Sequence, residues 1–226
     1  MDEDDCAAFL ALPYSRKSIG AGQYIVSQGE AAQSCFVLLK GFAYRHIILH
    51  DGARQVLGIH IEGDLIDLQF SMLHRAGNNV QALTPVQVAV IPQASMVELI
   101  RTHPNVAEAM WSETLTDMAV LKEWIANIGR RNARARLAHI ICELSVRQAT
   151  AGLGSVDRCE LPMTQEQLAD TLGLTAVHVN RTLHALEREG LIERERRSIR
   201  IPDWTSLARA GGFSPAYLHL PQPVAA

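Results

Sequence analysis

Two things are missing from this 226-residue sequence that would otherwise narrow its function at once, namely paired cysteines and a long apolar run. Its four cysteines, Cys6, Cys35, Cys142 and Cys159, lie far apart without a Cys-x-x-Cys spacing. That fits neither a zinc site nor a secreted disulfide framework, and they read as ordinary reduced thiols. Apolar runs such as residues 36–39 fall far short of the roughly 20 residues that span a bilayer, so no membrane partner is expected. The first five residues hold four carboxylates, the reverse of a secretory or transit leader, which leaves a cytoplasmic protein as the expectation.

What is present is an ordinary core composition, 48% apolar and 20% charged, on a length that leans weakly toward two domains. The net charge of −3 is unevenly spread. Residues 1–129 hold 8 Lys/Arg against 14 Asp/Glu, whereas residues 130–226 hold 13 against 10. A mildly basic C-terminal half suits a module that faces phosphate. All thirteen of those cations are arginine, so a base-composition bias of the genome explains them equally well.

Between residues 19 and 92 short β-rich runs alternate with turn signals such as Lys40-Gly41, Asp51-Gly52 and Glu62-Gly63-Asp64, the spacing of an antiparallel sandwich or roll. Beyond Pro92 the pattern turns helical, with a segment over residues 94–101 and a long helix from Pro104 to about Ile128. The long helix carries two adjacent apolar stripes and must bury both. Met110, Thr114, Asp117, Leu121, Trp124 and Ile128, spaced by fours and threes, are expected to form a parallel coiled-coil seam with a second copy. Trp111, Leu115, Met118 and Ile125 are then left to lie on the roll. A single helix buried within one subunit is the alternative. Residues 129–132 interrupt the helix as a hinge, and Asn132 is placed to cap a following helix over residues 133–150. An extended run is expected at Leu161, Pro162 and Met163.

Residues 164–192, TQEQLADTLGLTAVHVNRTLHALEREGLI, read as two helices joined by a tight turn. Thr164 and Gln167 make a capping box, Gly173 suits a left-handed helix end, and Thr175 caps a second helix that buries Val179, Leu183 and Leu186. The opposite face offers Ala176, Val177, His178, Asn180, Arg181 and His184, which with Thr175 form a surface fit for the major groove. Arg181 suits guanine and Asn180 adenine. A charged turn over residues 193–198, flanked by Leu191-Ile192 and Ile199-Arg200-Ile201, reads as a β-hairpin wing. Its Arg194, Arg196, Arg197 and Arg200 are either phosphate contacts or solvated charges.

These features together resemble the Crp/Fnr superfamily of bacterial transcription regulators. The resemblance implies an α+β protein: an N-terminal double-stranded β-roll over residues 1–103, a dimerisation helix and hinge over 104–131, and a C-terminal winged helix-turn-helix with its tail over 132–226. It implies a homodimeric regulator, not an enzyme, that binds double-stranded DNA at a pseudo-palindromic operator, with RNA polymerase as a further partner. Arg181 matches the arginine of the family's recognition helix. Ala176 and Val177 stand where the cyclic-AMP-responsive branch has Arg and Glu, so the half-site should differ. The cassette that would bind a nucleotide is degenerate: Gly63 and Asp64 are followed by Asp67-Leu68 in place of Gly-Glu, and by Arg75-Ala76 or Ala76-Gly77 in place of Arg-Ser. An effector other than cyclic AMP, or none, is therefore expected. Cys6 alone cannot supply the cysteine set of the iron–sulfur branch. No cofactor is predicted, although His46, His50, His60 and His74 could ligate haem. The competing reading is a cupin-type β-barrel metalloprotein with a helical appendage.

Overall fold

The computed structural model describes residues 1–31, 33–66, 72–73 and 75–220, and the chain divides into two compact units, Met1–Met118 and Ala119–Ala226. The first opens with helix α1, Glu3–Leu10, where the sequence had suggested only an acidic terminus. The acidity is what starts this helix. Asp2 accepts the Asp5 N–H, the Asp5 carboxylate takes the Asp2 N–H in return, and Glu3, Asp4 and Asp5 sit at the positive end of the helix dipole.

The expected β runs form two antiparallel four-stranded sheets. The first has the order β1 (Ser15–Ile19), β8 (Val86–Pro92), β3 (Ser34–Lys40), β6 (Leu65–Ile66); the second β2 (Tyr24–Val26), β7 (Asn79–Ala82), β4 (Ala43–Ile48), β5 (Arg54–His60). Leu38, Val80 and Val88, all without solvent exposure, come from both sheets and meet in one core. Gly41 turns β3 into β4 at φ +91°, and a Cβ there would stand 2.6 Å from the Pro85 carbonyl, so only glycine fits. A second core joins Cys35 and Ile91 to Met96 and Leu99 of α2 (Gln93–Thr102) and to Val106 and Met110 of α3 (Pro104–Arg130).

In the second unit α3 continues through Gly129 to Arg130, and the break falls on Arg131 and Asn132. Asn132 then caps α4 (Ala133–Thr150) by accepting the Ala135 N–H at 3.0 Å. Helix α4 is the hub, buried at every position from Leu137 to Val146. Against it pack α5 (Gln165–Leu172), α6 (Ala176–Arg188), α7 (Trp204–Gly211) and a three-stranded sheet ordered β10 (Glu193–Glu195), β11 (Ser198–Arg200), β9 (Arg158–Glu160). The extended run expected at residues 161–163 lies earlier, at β9. Leu161 still donates to the Arg197 carbonyl at 2.7 Å, but Pro162 has no N–H to continue the ladder. The wing's turn is tighter than expected: Glu193 and Glu195 are strand residues, and only Arg196 and Arg197 make the bend.

The two stripes of α3 lie the other way round from the sequence expectation. Met110 is 6% exposed in the second core of the roll, Asp117 pairs with Arg45 of β4, and Trp124 is 3% exposed with its indole N–H bonded to Glu143. Thr114 returns its hydroxyl to the Met110 carbonyl, Leu121 is half-buried, and Ile128 lies 3.2 Å from where a Gly173 Cβ would be. Of the six positions assigned to a coiled-coil seam, Met110 and Trp124 are thus buried in the chain's own body, Asp117, Leu121 and Ile128 are half-buried, and Thr114 is exposed. Trp111, Leu115, Met118 and Ile125, assigned to the roll, are 69%, 46%, 43% and 72% exposed. Two adjacent apolar stripes do not announce which is covered from within, and a buried arginine 72 residues away decided it.

Candidate nucleic-acid interface

The interface is built from local signals. Thr164 accepts the Gln167 N–H while the Gln167 side chain takes the Thr164 N–H, which starts α5. Gly173 ends it at φ +62°, and two residues on Thr175 accepts the His178 N–H at 3.2 Å to start α6. Val179, Leu183 and Leu186 are sealed against the hub, which fixes the rotation of α6 about its axis. Val177, His178, Arg181 and His184 are exposed on the far side with the Thr175 cap, and Ala176 and Asn180 are half-buried beside them. All seven residues read from sequence as groove-facing are thus at least partly exposed.

A shallow concavity there is lined by Ala176, Val177, Asn180, Arg181, His184, Gln165 and Arg188. The last two were missed by sequence reasoning. Arg188 continues the spacing of Val177, Arg181 and His184 by one more turn, a signal that was readable. Gln165, the first residue of α5, arrives only through the angle between the two helices.

Charge on this surface has been sorted by pairing. Arg194 donates to Glu187 at 2.6 Å and approaches His184 at 3.2 Å, tying the wing to α6 and holding the Glu187 carboxyl below its ordinary range. Arg200 pairs with Glu193 across the hairpin, Arg158 with Glu195 at 2.7 Å, and Arg134 with Glu189. Two of the four wing arginines, Arg194 and Arg200, thus have internal partners. Among the described residues Arg181, Arg188, Arg196 and Arg197 carry no ion pair, and they all belong to α6 or the wing tip.

In the first unit, Gly63 makes a turn at φ +94°, Asp64 accepts the Ile61 N–H at 2.9 Å, and Arg75 donates to the Gly29 carbonyl at 3.3 Å. These three cassette residues serve the backbone; Asp67 and Leu68, and His74, lie outside the described residues. His46 is buried and stacked on Tyr44 at 5.1 Å, His60 is buried 3.7 Å from Asp64, and His50 is exposed. Among the described residues no three His, Cys, Asp or Glu side chains form a metal-binding group, and no helix is long and apolar enough to cross a membrane. Burial pushes the thiols of Cys142 and Cys159 up to about 12, which leaves them unreactive, while Cys6 alone is exposed.

Comparison with known proteins agrees with this architecture. Residues 135–210 match the Crp-like helix-turn-helix domain and residues 16–103 the cyclic nucleotide-binding domain. The transcriptional activator protein FnrL of Cereibacter sphaeroides is 26% identical over 93% of this chain and 86% of its own length. The fumarate and nitrate reduction regulatory protein of Escherichia coli K12 is 27% identical over 88% and 79%. The solved structure of FixK2 from Bradyrhizobium japonicum superposes with a TM-score of 0.82 at 22% identity, covering 90% of this chain and all of that one. Its fold is therefore the same α+β arrangement of sheet domain, long helix and helix-turn-helix. The cupin-type reading leaves the C-terminal module unexplained, and that module is a DNA-binding one. The chain carries a Crp-like helix-turn-helix domain and a cyclic nucleotide-binding domain, and its homologues are regulators of the Crp/Fnr family, whose helix-turn-helix members bind DNA as dimers and are transcription regulators rather than enzymes.

Proposed function

We propose that two copies of this chain sit on a pseudo-palindromic operator, each laying α6 in the major groove of one half-site, the half-sites being about one helical turn (~34 Å) apart. The observation that carries this is the concave surface lined by Ala176, Val177, Asn180, Arg181 and His184 of α6, with His178 and the Thr175 cap exposed at the same end of that helix and Arg196 and Arg197 forming the bend of the wing. Arg181 reads guanine by a bidentate contact, and His178 and Asn180 supply the remaining base contacts in place of the missing Arg and Glu. Arg188, Arg196 and Arg197 meet phosphate, which fixes register without reading sequence.

The dimer forms along α3 within residues 104–131, between a sensor-like domain over 1–103 and a DNA-binding domain over 132–226. Its seam is the exposed stripe. Trp111, Leu115, Met118, Lys122 and Ile125 recur at four and three, a heptad pattern with one lysine in it. Such a polar position sets register at a cost in stability. The protein works in the cytoplasm, and RNA polymerase is its partner at the promoter.

The effector is not cyclic AMP, because Leu68 stands where the glutamate for ribose would be. Nor do the cysteines fit an iron–sulfur cluster: Cys35, Cys142 and Cys159 are buried and Cys6 is alone at the surface. In vitro selection from random duplexes, followed by footprinting, tests the main reading. A dyad with half-sites one turn apart is the expected product; an asymmetric site, or no enrichment, would sink it. Calorimetry with cyclic AMP should show no tightening of operator binding.

A further inference from the structure

Only Arg131 and Asn132 separate α3 from α4, and contacts in and around that short connection set the angle between the two helices. One of these contacts is made by a buried carboxylate. Glu143, on α4, has no solvent exposure. Its two oxygens accept the indole N–H of Trp124 on α3 at 2.9 and 3.1 Å, and one of them also accepts the Tyr217 hydroxyl at 2.7 Å. Tyr217 lies in the short 3-10 turn Pro215–Leu218, which follows α7.

We propose that Glu143 is a positioning residue for operator recognition, clasping Trp124 and Tyr217 so that α6 leaves the end of α3 in one direction. The C-terminal segment is seated in one way as well. A Cβ on Gly211 would stand 2.7 Å from the His139 backbone nitrogen, so α7 lies directly on the backbone of α4. His139, one turn before Glu143, stacks on Tyr217 and meets its hydroxyl at 3.1 Å, while Phe213 packs edge-on against both rings. Around the carboxylate stand Arg147 of α4 at 3.8 Å, Glu123 of α3, and Arg131, which bonds Glu123 at 2.6 Å and the Gly212 carbonyl at 3.2 Å.

The choice of a carboxylate is informative. Burying a charge is expensive, and a well-packed apolar residue at such a site is often as stable or more so. What the carboxylate adds is a directional demand on donors from two other segments, met in one geometry. Both donors lie outside the stretches that match known domains, Trp124 before residue 135 and Tyr217 after residue 210. The acceptor, Glu143, lies inside the helix-turn-helix stretch, and the clasp joins it to chain on either side of that stretch.

The proposal rests on the dimer and dyad proposed above, and its test separates the two. Full-length wild type, Glu143→Gln, Tyr217→Phe and the double variant are compared on a single half-site, on the selected dyad, and on dyads with the spacer one base pair longer or shorter. Thermal melting and sedimentation confirm folding and dimerisation, and the emission spectrum reports the indole environment. Glu143→Gln should bind the half-site as wild type does, bind the dyad at least tenfold more weakly, and discriminate less among spacers, with a shifted emission spectrum. Tyr217→Phe, which removes one oxygen, should change dyad binding in the same direction and carries the test if Glu143→Gln fails to fold. The double variant should be no worse than the poorer single one. Unchanged dyad affinity in folded variants, or equal loss on half-site and dyad, overturns the positioning role. If wild type itself shows no preference for the dyad, the dimer reading fails and the proposal with it.

Discussion

Arg45 and Asp117 form a two-pronged ion pair, 2.7 and 2.8 Å, between strand β4 and helix α3. The arginine side chain is 5% exposed and the carboxylate 38%. Gly58 on the neighbouring strand β5 leaves the guanidinium its space, since a Cβ there would come within 3.1 Å of it. Removing Asp117 takes two charge-assisted hydrogen bonds from a buried cation, so Asp117→Ala should cost about 2–3 kcal/mol, less than the loss for a fully enclosed pair because water reaches one side. Urea unfolding measures this. Arg45→Met in the Asp117→Ala background should recover part of the loss, and a double variant no more stable than Asp117→Ala would show that the buried charge is not the cause.

The exposed stripe of α3 predicts a specific failure of assembly. Ile125 is 72% exposed in the single chain. An Ile125→Asp substitution should therefore leave folding intact while placing two carboxylates face to face in the seam, raising the dimer dissociation constant a hundredfold or more, about 3 kcal/mol. Sedimentation equilibrium reads the outcome. Trp124→Phe, on the opposite stripe, should leave the dimer constant nearly unchanged, and the reverse pattern would restore the seam expected from sequence.

Base reading and phosphate contact can be told apart by salt. Arg181→Ala should lose ~1–3 kcal/mol on the operator and relax the preference at one position of each half-site, leaving binding to random duplex almost intact. Arg196→Gly should weaken both by a similar factor and lower the salt slope by about one per subunit. Because Arg196 turns the wing at φ +52°, a conformation unfavourable for a side chain, the same change should also raise stability slightly. Equal losses from Arg181→Ala on operator and random DNA would count against base reading.

Acid should loosen the DNA-binding unit before its paired carboxylates titrate. Burial, reinforced by Arg131, lowers the His139 imidazole from 6.5 to about 4. A folded value below the unfolded one means stability that is complete above pH 6.5 and lost as pH falls toward 4, on the order of 3 kcal/mol in all. Burial raises the Glu143 carboxyl, which acts in the opposite sense and favours the folded state as pH falls. Thermal midpoints between pH 6.5 and 5 should decline in wild type and flatten in His139→Gln. Parallel curves would exclude the histidine as the source.

Much of this protein was legible one helix at a time. The caps at Asn132, Thr164 and Thr175, the left-handed Gly173, the apolar face of α6 and the roll's turn glycines all depend on partners a few residues away. Such contacts leave a fixed spacing in the text, and so the helix-turn-helix and the exposed face of its second helix could be read directly. The acidic capping box of α1 was equally local and was overlooked because its charges had been read only as the absence of a leader.

What only the tertiary structure decided is where the long helix looks. Its two apolar stripes are equivalent by spacing, and the choice between them was made by Arg45, 72 residues from Asp117, and by Glu143, 19 residues from Trp124. A buried charge requires its counter-charge or donors wherever the fold brings them, and that requirement carries no periodic signature. The sequence alone determined that two capped helices would form and that Arg181 would stand on the exposed face of the second. Packing decided which face of α3 remains exposed in the single chain, because the other face was already taken by partners that only folding brings near.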